Sequence, residues 1–302
     1  MLFKKKKIIP VLLLMLLLSA CGQQEQVGSG STFFRDFAIA DKDGEEGIVY
    51  TSYKEHFDLM TGELPDSVNF CAVYDGKLYY ADTFVGMETG EIKEGHVKIL
   101  SCEADGSQEE TILEIGDAAY LGDAMIQSGL LYCSWLPKEG TLQHIVMDLG
   151  NGKKTEFTSE HAVKAVTADG FYYLVSSAGN DRLYFSDYRN LKKTLVFDAD
   201  TSIRAVYRAG EDVAILTYNT MDNQSILITV RKDGSFQSYT GLNRIDKNIT
   251  GSFPEIVSAE GDILYYTLSV GEDFDEGRNN TVLLRWNRAD DTKEICGKWY
   301  SP

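Results

Sequence analysis

The chain has 302 residues, 43% hydrophobic and 25% charged, with 29 Lys and Arg set against 46 Asp and Glu. Its net charge of −17 excludes partnership with nucleic acid, whose binders gain affinity by neutralising phosphates with Lys and Arg. The same balance argues against direct docking on anionic lipid headgroups and reads most simply as solubility.

The first twenty residues have the parts of an export signal. Lys4, Lys5, Lys6 and Lys7 make a basic head, Ile8 to Leu18 an apolar run, and Leu18-Ser19-Ala20 a small-residue lead into Cys21. A basic head, a short apolar stretch and small residues before a cleavage point are the signature of a secreted chain. The apolar run is too short to cross a bilayer core, which takes about 20 residues. Leu-Ser-Ala-Cys resembles the bacterial lipobox, and that resemblance implies a cleaved signal over 1–20 and a lipid on Cys21. Cleavage would remove four lysines and no acid, taking the net charge to −21. Attachment to the membrane then comes from the lipid. Residues 21–32, rich in Gln, Gly and Ser, bury too little to fold and read as a tether.

Residues 33–302 are enough for one large β domain without a second core. Their organising signal is a turn followed by an apolar, aromatic run. Asp75-Gly76 precedes Lys77-Leu78-Tyr79-Tyr80, Ser128-Gly129 precedes Leu130 to Cys133, and Asp169-Gly170 precedes Phe171 to Leu174. Ala209-Gly210 and Glu260-Gly261 continue the series, and Asp43-Gly44 starts a weaker first copy running into Gly47-Ile48-Val49-Tyr50. A period near 45 residues with several short strands per copy predicts propeller blades. A second turn recurs downstream, at Thr61-Gly62, Asp105-Gly106, Asn151-Gly152, Arg189-Asn190, Asp233-Gly234 and Ala289-Asp290. Asp-Gly and Asn-Gly accept positive φ and mark hairpins, so each copy reads as four antiparallel strands. The two middle strands are nearly continuous in apolar residues, which predicts burial on both faces. The expected fold is therefore all-β, a six-bladed β-propeller of four-stranded antiparallel blades, favoured over a β-sandwich with coincidental turn spacing.

Tyr53 to Gly62, followed by Tyr74 to Tyr80 and then Val97 to Gly106 ending in Glu103-Ala104-Asp105-Gly106, resembles a family of bacterial lipoproteins. That resemblance implies a six-bladed propeller similar to the YWTD propeller of lipoprotein receptors and to the propeller of TolB. Relatives in the family carry a cysteine and histidine cluster between the first two blades, whereas only Cys71 is present here.

Cys71, Cys102, Cys133 and Cys296 are widely spaced, with no CxxC and no histidine at ligand spacing, so no zinc site is predicted. Four cysteines allow three pairings and the spacing does not choose. Cys102 and Cys133 fall in strand-like runs and are expected as buried thiols. His56, His96, His144 and His161 fit no metal motif, and His144 reads as a structural residue of a strand. No nucleophile elbow, P-loop or dinucleotide fingerprint is present, and no cofactor is expected. Glu272, Asp273, Asp275 and Glu276 match no calcium loop and read as a solvated one.

The connections between the second and third strands are expected to be long and variable, at Phe84 to Gly95, Leu136 to Thr141, Ser177 to Asp181, Asn219 to Gln224 and Gly271 to Asn280. They share one end of the sheets, opposite the tight turns. Variable loops on a rigid scaffold are where binding usually resides. Phe84, Trp135 and Phe274 are candidates for stacking a sugar or gripping a peptide, unless they pin their own loops, and Asn219 and Asp222 are polar candidates beside them. Two functional classes fit. One is a non-enzymatic recognition module for a peptide, a glycan or a neighbouring membrane protein. The other is a hydrolase or lyase acting on polysaccharide; the missing catalytic motifs favour the first.

Overall fold

The computed structural model describes residues 26–27, 31–33, 37–42, 45–49, 68–88, 91–103, 106–177, 180–189, 192–219, 224–231, 233–246, 249–270 and 280–300. Among them every regular element is a strand and no helix occurs. The strands pair as six four-stranded antiparallel sheets, each in plain meander order. The first sheet holds β1 (Gln26–Val27), β2 (Ser31–Phe33), β3 (Ala38–Lys42) and β4 (Glu45–Val49). In the second are β5 (Val68–Tyr74), β6 (Lys77–Glu88), β7 (Glu91–Cys102) and β8 (Glu110–Gly116). The third follows with β9 (Ala118–Gln127), β10 (Leu130–Pro137), β11 (Gln143–Asp148) and β12 (Lys154–Phe157). The fourth has β13 (Val163–Val166), β14 (Gly170–Ser177), β15 (Asn180–Asp187) and β16 (Lys193–Asp198). β17 (Ile203–Ala209), β18 (Asp212–Asn219), β19 (Gln224–Val230) and β20 (Phe236–Tyr239) make the fifth. The sixth is β21 (Gly251–Glu260), β22 (Ile263–Val270), β23 (Asn280–Asn287) and β24 (Thr292–Tyr300).

Several described turns form where the sequence places them and for the expected reason, whereas Gly170 takes no positive φ and its turn closes through Thr167. Asp75 and Gly76 sit at φ of 51° and 77°, and Ser128 and Gly129 at 49° and 77°. Two successive positive φ values give the two-residue turn whose twist matches the strands it joins. Tyr80, Tyr173 and Tyr266 are each the fourth residue of the second strand of their sheet, and all three are buried.

Three expectations are corrected. Phe84 to Gly95 is not an open loop: β6 and β7 stay paired from Thr83↔Val97 out to Glu88↔Glu91, a long hairpin arm. In the first sheet, Glu45–Val49 is the fourth strand rather than the second, so Asp43-Gly44 falls where the later copies have their second turn. That accounts for the short spacing of the first copy. β1 and β2 also lie in or run into the 21–32 stretch assigned to a tether, so the first sheet takes up part of it. Thr61-Gly62 lies outside the described residues.

The core is divided among the joints between sheets. Successive side chains of a strand point to opposite faces, and here each face has its own neighbour. On β10, Leu131 and Cys133 pack with Ala72, Ile99 and Leu113 of the second sheet. Leu130 and Tyr132 pack with Val163 and Phe171 of the fourth. On β18, Val213 and Ile215 join Ala165 and Leu183 of the fourth sheet, while Ala214 and Leu216 join Leu264, Tyr266 and Trp286 of the sixth. The middle strands are apolar throughout because both faces are covered, as the sequence pattern requires. The sixth sheet in turn meets the first, where Phe37 packs on Val257, Leu283 and Tyr265 and β24 lies alongside β4.

Candidate functional site

The meander puts the first–second and third–fourth strand turns of every sheet at one end, and the second–third connections at the other. At the connection end, the β6–β7 arm projects beside the start of β9: an added Cβ on Gly95 would lie 2.1 Å from the Ala118 carbonyl oxygen. Phe84 is exposed on this arm and stacks on His96, its cross-strand partner, with ring centroids 5.6 Å apart. Val85 and Met87 are exposed on the same arm. On the third sheet, Tyr120 and Leu136 are cross-strand partners and both exposed, and Leu142 is exposed just before β11. On the second and third sheets this end therefore shows six large apolar side chains to solvent among the described residues.

Of the residues singled out in the sequence, Phe84 is at this end as expected. Trp135 is only partly exposed and packs against the core between the second and third sheets, which makes it a cover for that core. Asn219 ends β18 paired with Gln224, on the fifth sheet and half-buried. Cys21, Asp222 and Phe274 lie outside the described residues. The described candidates are thus spread over three sheets rather than gathered around one point. Val85, Met87, Tyr120, Leu136 and Leu142 were not singled out from the sequence, although apolar residues flanking the Gly86 and Gly122 breaks could have marked them.

Ser134 and His144 face one another across β10 and β11, with Asp123 on β9. The trio has the composition of a nucleophile–base–acid set, but its geometry is structural. Ser134 Oγ accepts from the Asp123 N–H at 2.8 Å and donates back to the Asp123 carbonyl at 3.3 Å. Ser134 and His144 are each 1% exposed. Tyr132 Oη lies 3.0 Å from His144 Nδ1, and Phe157 stacks on the imidazole at 5.1 Å. Burial pushes the His144 imidazolium below its ordinary range, against the opposing pull of the Ser159 backbone. Burial likewise pushes the Cys133 thiol up to about 12, so it is a core group and no nucleophile. Among the described residues, no three His, Cys, Asp or Glu side chains converge to hold a metal ion.

A cavity of about 340 Å³ opens at the opposite, turn end, between the fourth and fifth sheets. The turn Thr167–Asp169, the start of β16, and the turns around Gly210 and Gly234 form its mouth. Tyr172 and Phe185, cross-strand partners with ring centroids 5.1 Å apart, form one wall, and Val213 and Val230 face them from the fifth sheet. Arg208 also lines it. The turn end, expected to offer little shape, thus holds a concave site that no motif announces.

These features define the class: an all-β protein of four-stranded antiparallel sheets, the second to the sixth each packed on the next in chain order and the sixth on the first. No family model matches the chain, and no curated protein is similar to it. Solved structures resemble it at low identity. A putative TolB from Agrobacterium tumefaciens is 17% identical with a TM-score of 0.46, over 80% of this chain and 83% of that one. TolB from Acinetobacter baumannii is 11% identical with a TM-score of 0.44, over 93% and 79%. Oligopeptidase B from Trypanosoma brucei is 10% identical with a TM-score of 0.46, over 94% of this chain but 49% of that one. With these TM-scores below 0.5, the architecture rests on the sheets and their joints.

Proposed function

We propose that this chain is a lipid-anchored recognition module whose six sheets close into a β-propeller, and that its partner docks on the connection end of the second and third sheets. The observation that carries the docking site is the exposure of Phe84, Val85, Met87, Tyr120, Leu136 and Leu142 on a chain with a net charge of −17. Exposed apolar side chains grouped at one end of an acidic, soluble surface mark contact sites. Support for closure comes from the joint between the first and sixth sheets, since the remaining joint, first to second, is the one a ring needs. Burial of Ser134 and His144 supports recognition over catalysis. The partner is a peptide, a glycan or a neighbouring membrane protein, and the membrane is reached through Cys21.

Site-specific photocrosslinking in cells tests the docking end. A photoreactive residue at Met87 or Tyr120 is expected to give a discrete adduct that Phe84→Asp abolishes, while one at Phe236, exposed at the turn end, gives none. Adducts from Phe236 but not from Met87 and Tyr120 would place the partner on the wrong end. Fractionation tests the anchor: Cys21→Ala is expected to release a folded domain, and retention through a high-salt wash would refute lipid attachment.

A further inference from the structure

We propose that the cavity between the fourth and fifth sheets binds a small monocarboxylate carrying one aromatic or apolar ring. Arg208 is the reason for the carboxylate. It lies near the end of β17, immediately before the Ala209-Gly210 turn, and its Nε donates to the Gly210 carbonyl at 2.8 Å. Its Nη1 is buried and has no hydrogen-bond partner among the described residues. A buried donor on a charged group without an acceptor is costly, and native proteins leave few of them. The guanidinium fork matches a carboxylate in shape and charge, so an acid at the Arg208 wall supplies the missing acceptor once the guanidinium turns Nη1, closed to solvent in the unliganded protein, toward the cavity.

The rest of the lining sets the ligand's body and its charge. Tyr172 and Phe185 present a tilted aromatic pair, and Val213 and Val230 close the opposite side. Burial raises the Tyr172 phenol above its ordinary range, so it stays neutral and adds no negative charge. Arg231 joins Arg208 in the lining, while Asp169 and Glu211 are exposed at the mouth. Two cations and two anions leave the site without the excess positive charge that a phosphate dianion demands. One negative charge fits. The volume of about 340 Å³ is at the small end of ligand sites, which span roughly 300–1,000 Å³. It has room for a single ring and its acid rather than for a peptide or an oligosaccharide. The inference is independent of the docking end, which uses other sheets.

The test uses the full chain purified in mild detergent. Titration calorimetry and thermal shift are run with phenylacetate and cyclohexylacetate, against acetate, benzyl alcohol and phenyl phosphate. Both ring acids are expected to bind and raise the melting temperature, with acetate and benzyl alcohol at least about tenfold weaker. Arg208→Gln should weaken phenylacetate at least about tenfold while changing the melting temperature of the unliganded protein little, since losing the Nε bond to the Gly210 carbonyl is offset by removing a buried donor that has no partner among the described residues. Thr194→Trp, which fills the mouth from an exposed position and keeps the guanidinium, should abolish binding and so covers the case in which the arginine variant fails to fold. The proposal is overturned if neither ring acid binds at about 10 mM. It is also overturned if Thr194→Trp leaves the affinity unchanged, or if phenyl phosphate binds more tightly than phenylacetate.

Discussion

Arg288 is a clamp whose removal has a calculable cost. It follows β23 and reaches across the turn end in three directions. Nη1 donates to Thr229 Oγ1 of the fifth sheet at 2.6 Å. Nη2 donates to the Gly261 carbonyl, and Nε to the Asp262 carbonyl at 3.4 Å. The guanidinium also lies 5.1 Å over the ring of Tyr239, again on the fifth sheet. A hydrogen bond from a charged donor contributes about 1.5–3 kcal/mol when shielded. Here the groups are partly wet, so half that range for the two shorter bonds is reasonable, with the long one adding little. The ring contact adds about 0.5–1 kcal/mol at an exposed site. Arg288→Ala should therefore cost about 2–4 kcal/mol. At about 2–4 °C per kcal/mol for a domain of this size, the melting temperature falls by roughly 4–16 °C. Arg288→Lys keeps the charge but has no fork, so it should recover less than half. Urea unfolding of both variants, and of the double variant with Thr229→Val, is the assay. The coupling to Thr229 should be about 0.5 kcal/mol or more. If Arg288→Ala falls within about 0.5 kcal/mol of the wild type, the range of an ordinary surface change, the clamp is ornamental and the reasoning fails.

Two further predictions concern backbone and titration. A Cβ at Gly170 would lie 2.2 Å from the Ser186 carbonyl oxygen and 2.5 Å from Phe185 Cζ, so Gly170→Ala must spread β14 from β15; by equilibrium unfolding it should cost about 3 kcal/mol. Gly76→Ala meets nothing within 4 Å and bears only the strain of φ +77°, about 1 kcal/mol; equal costs would refute this distinction. For His144 the folded imidazolium is depressed by burial, so the unfolded chain takes up the proton first as pH falls. The neutral histidine's contribution is complete above its ordinary pKa of about 6.5 and is lost as pH drops toward the folded value. Melting curves should show an acid-side fall steeper than that of His144→Phe by at most about 1.4 kcal/mol per pH unit; parallel curves would show that His144 titrates normally.

The turns were legible because Asp75-Gly76 and Ser128-Gly129 can adopt a backbone that other residue pairs resist, and the structure uses it there. Burial of both faces of β10 and β18 was legible in their unbroken apolar runs. The β6–β7 arm was not, since Thr83 to Gly95 mixes glycine, acid and apolar residues without strict alternation, and backbone pairing of such a stretch leaves no regular side-chain pattern. Nor was the cavity. Arg208 reads in sequence as a charged residue near a strand end, a place where solvent usually waits. Only the neighbouring sheet shows that one of its nitrogens is shut in. Trp135 left two readings open, since a large aromatic beside a connection can be a platform or a pin, and here it packs on the core between the second and third sheets.

The division of the core into joints has a consequence for how disturbance spreads. Among the described residues, no side chain of the second sheet shares a cluster with the fifth, and none of the third with the sixth. Damage at one joint is felt by the two sheets that form it and reaches others only through the stiffness of those two. Repeating architectures coupled to nearest neighbours behave this way, with stability summed from units and contacts. In hydrogen exchange, a lesion at the joint where Phe157 stacks on Phe171 should therefore speed exchange in the third and fourth sheets while β22 and β23 keep their protection. The molecule can be worn at one place without forgetting its shape elsewhere, which lets the joint of the second and third sheets change separately from that of the fifth and sixth.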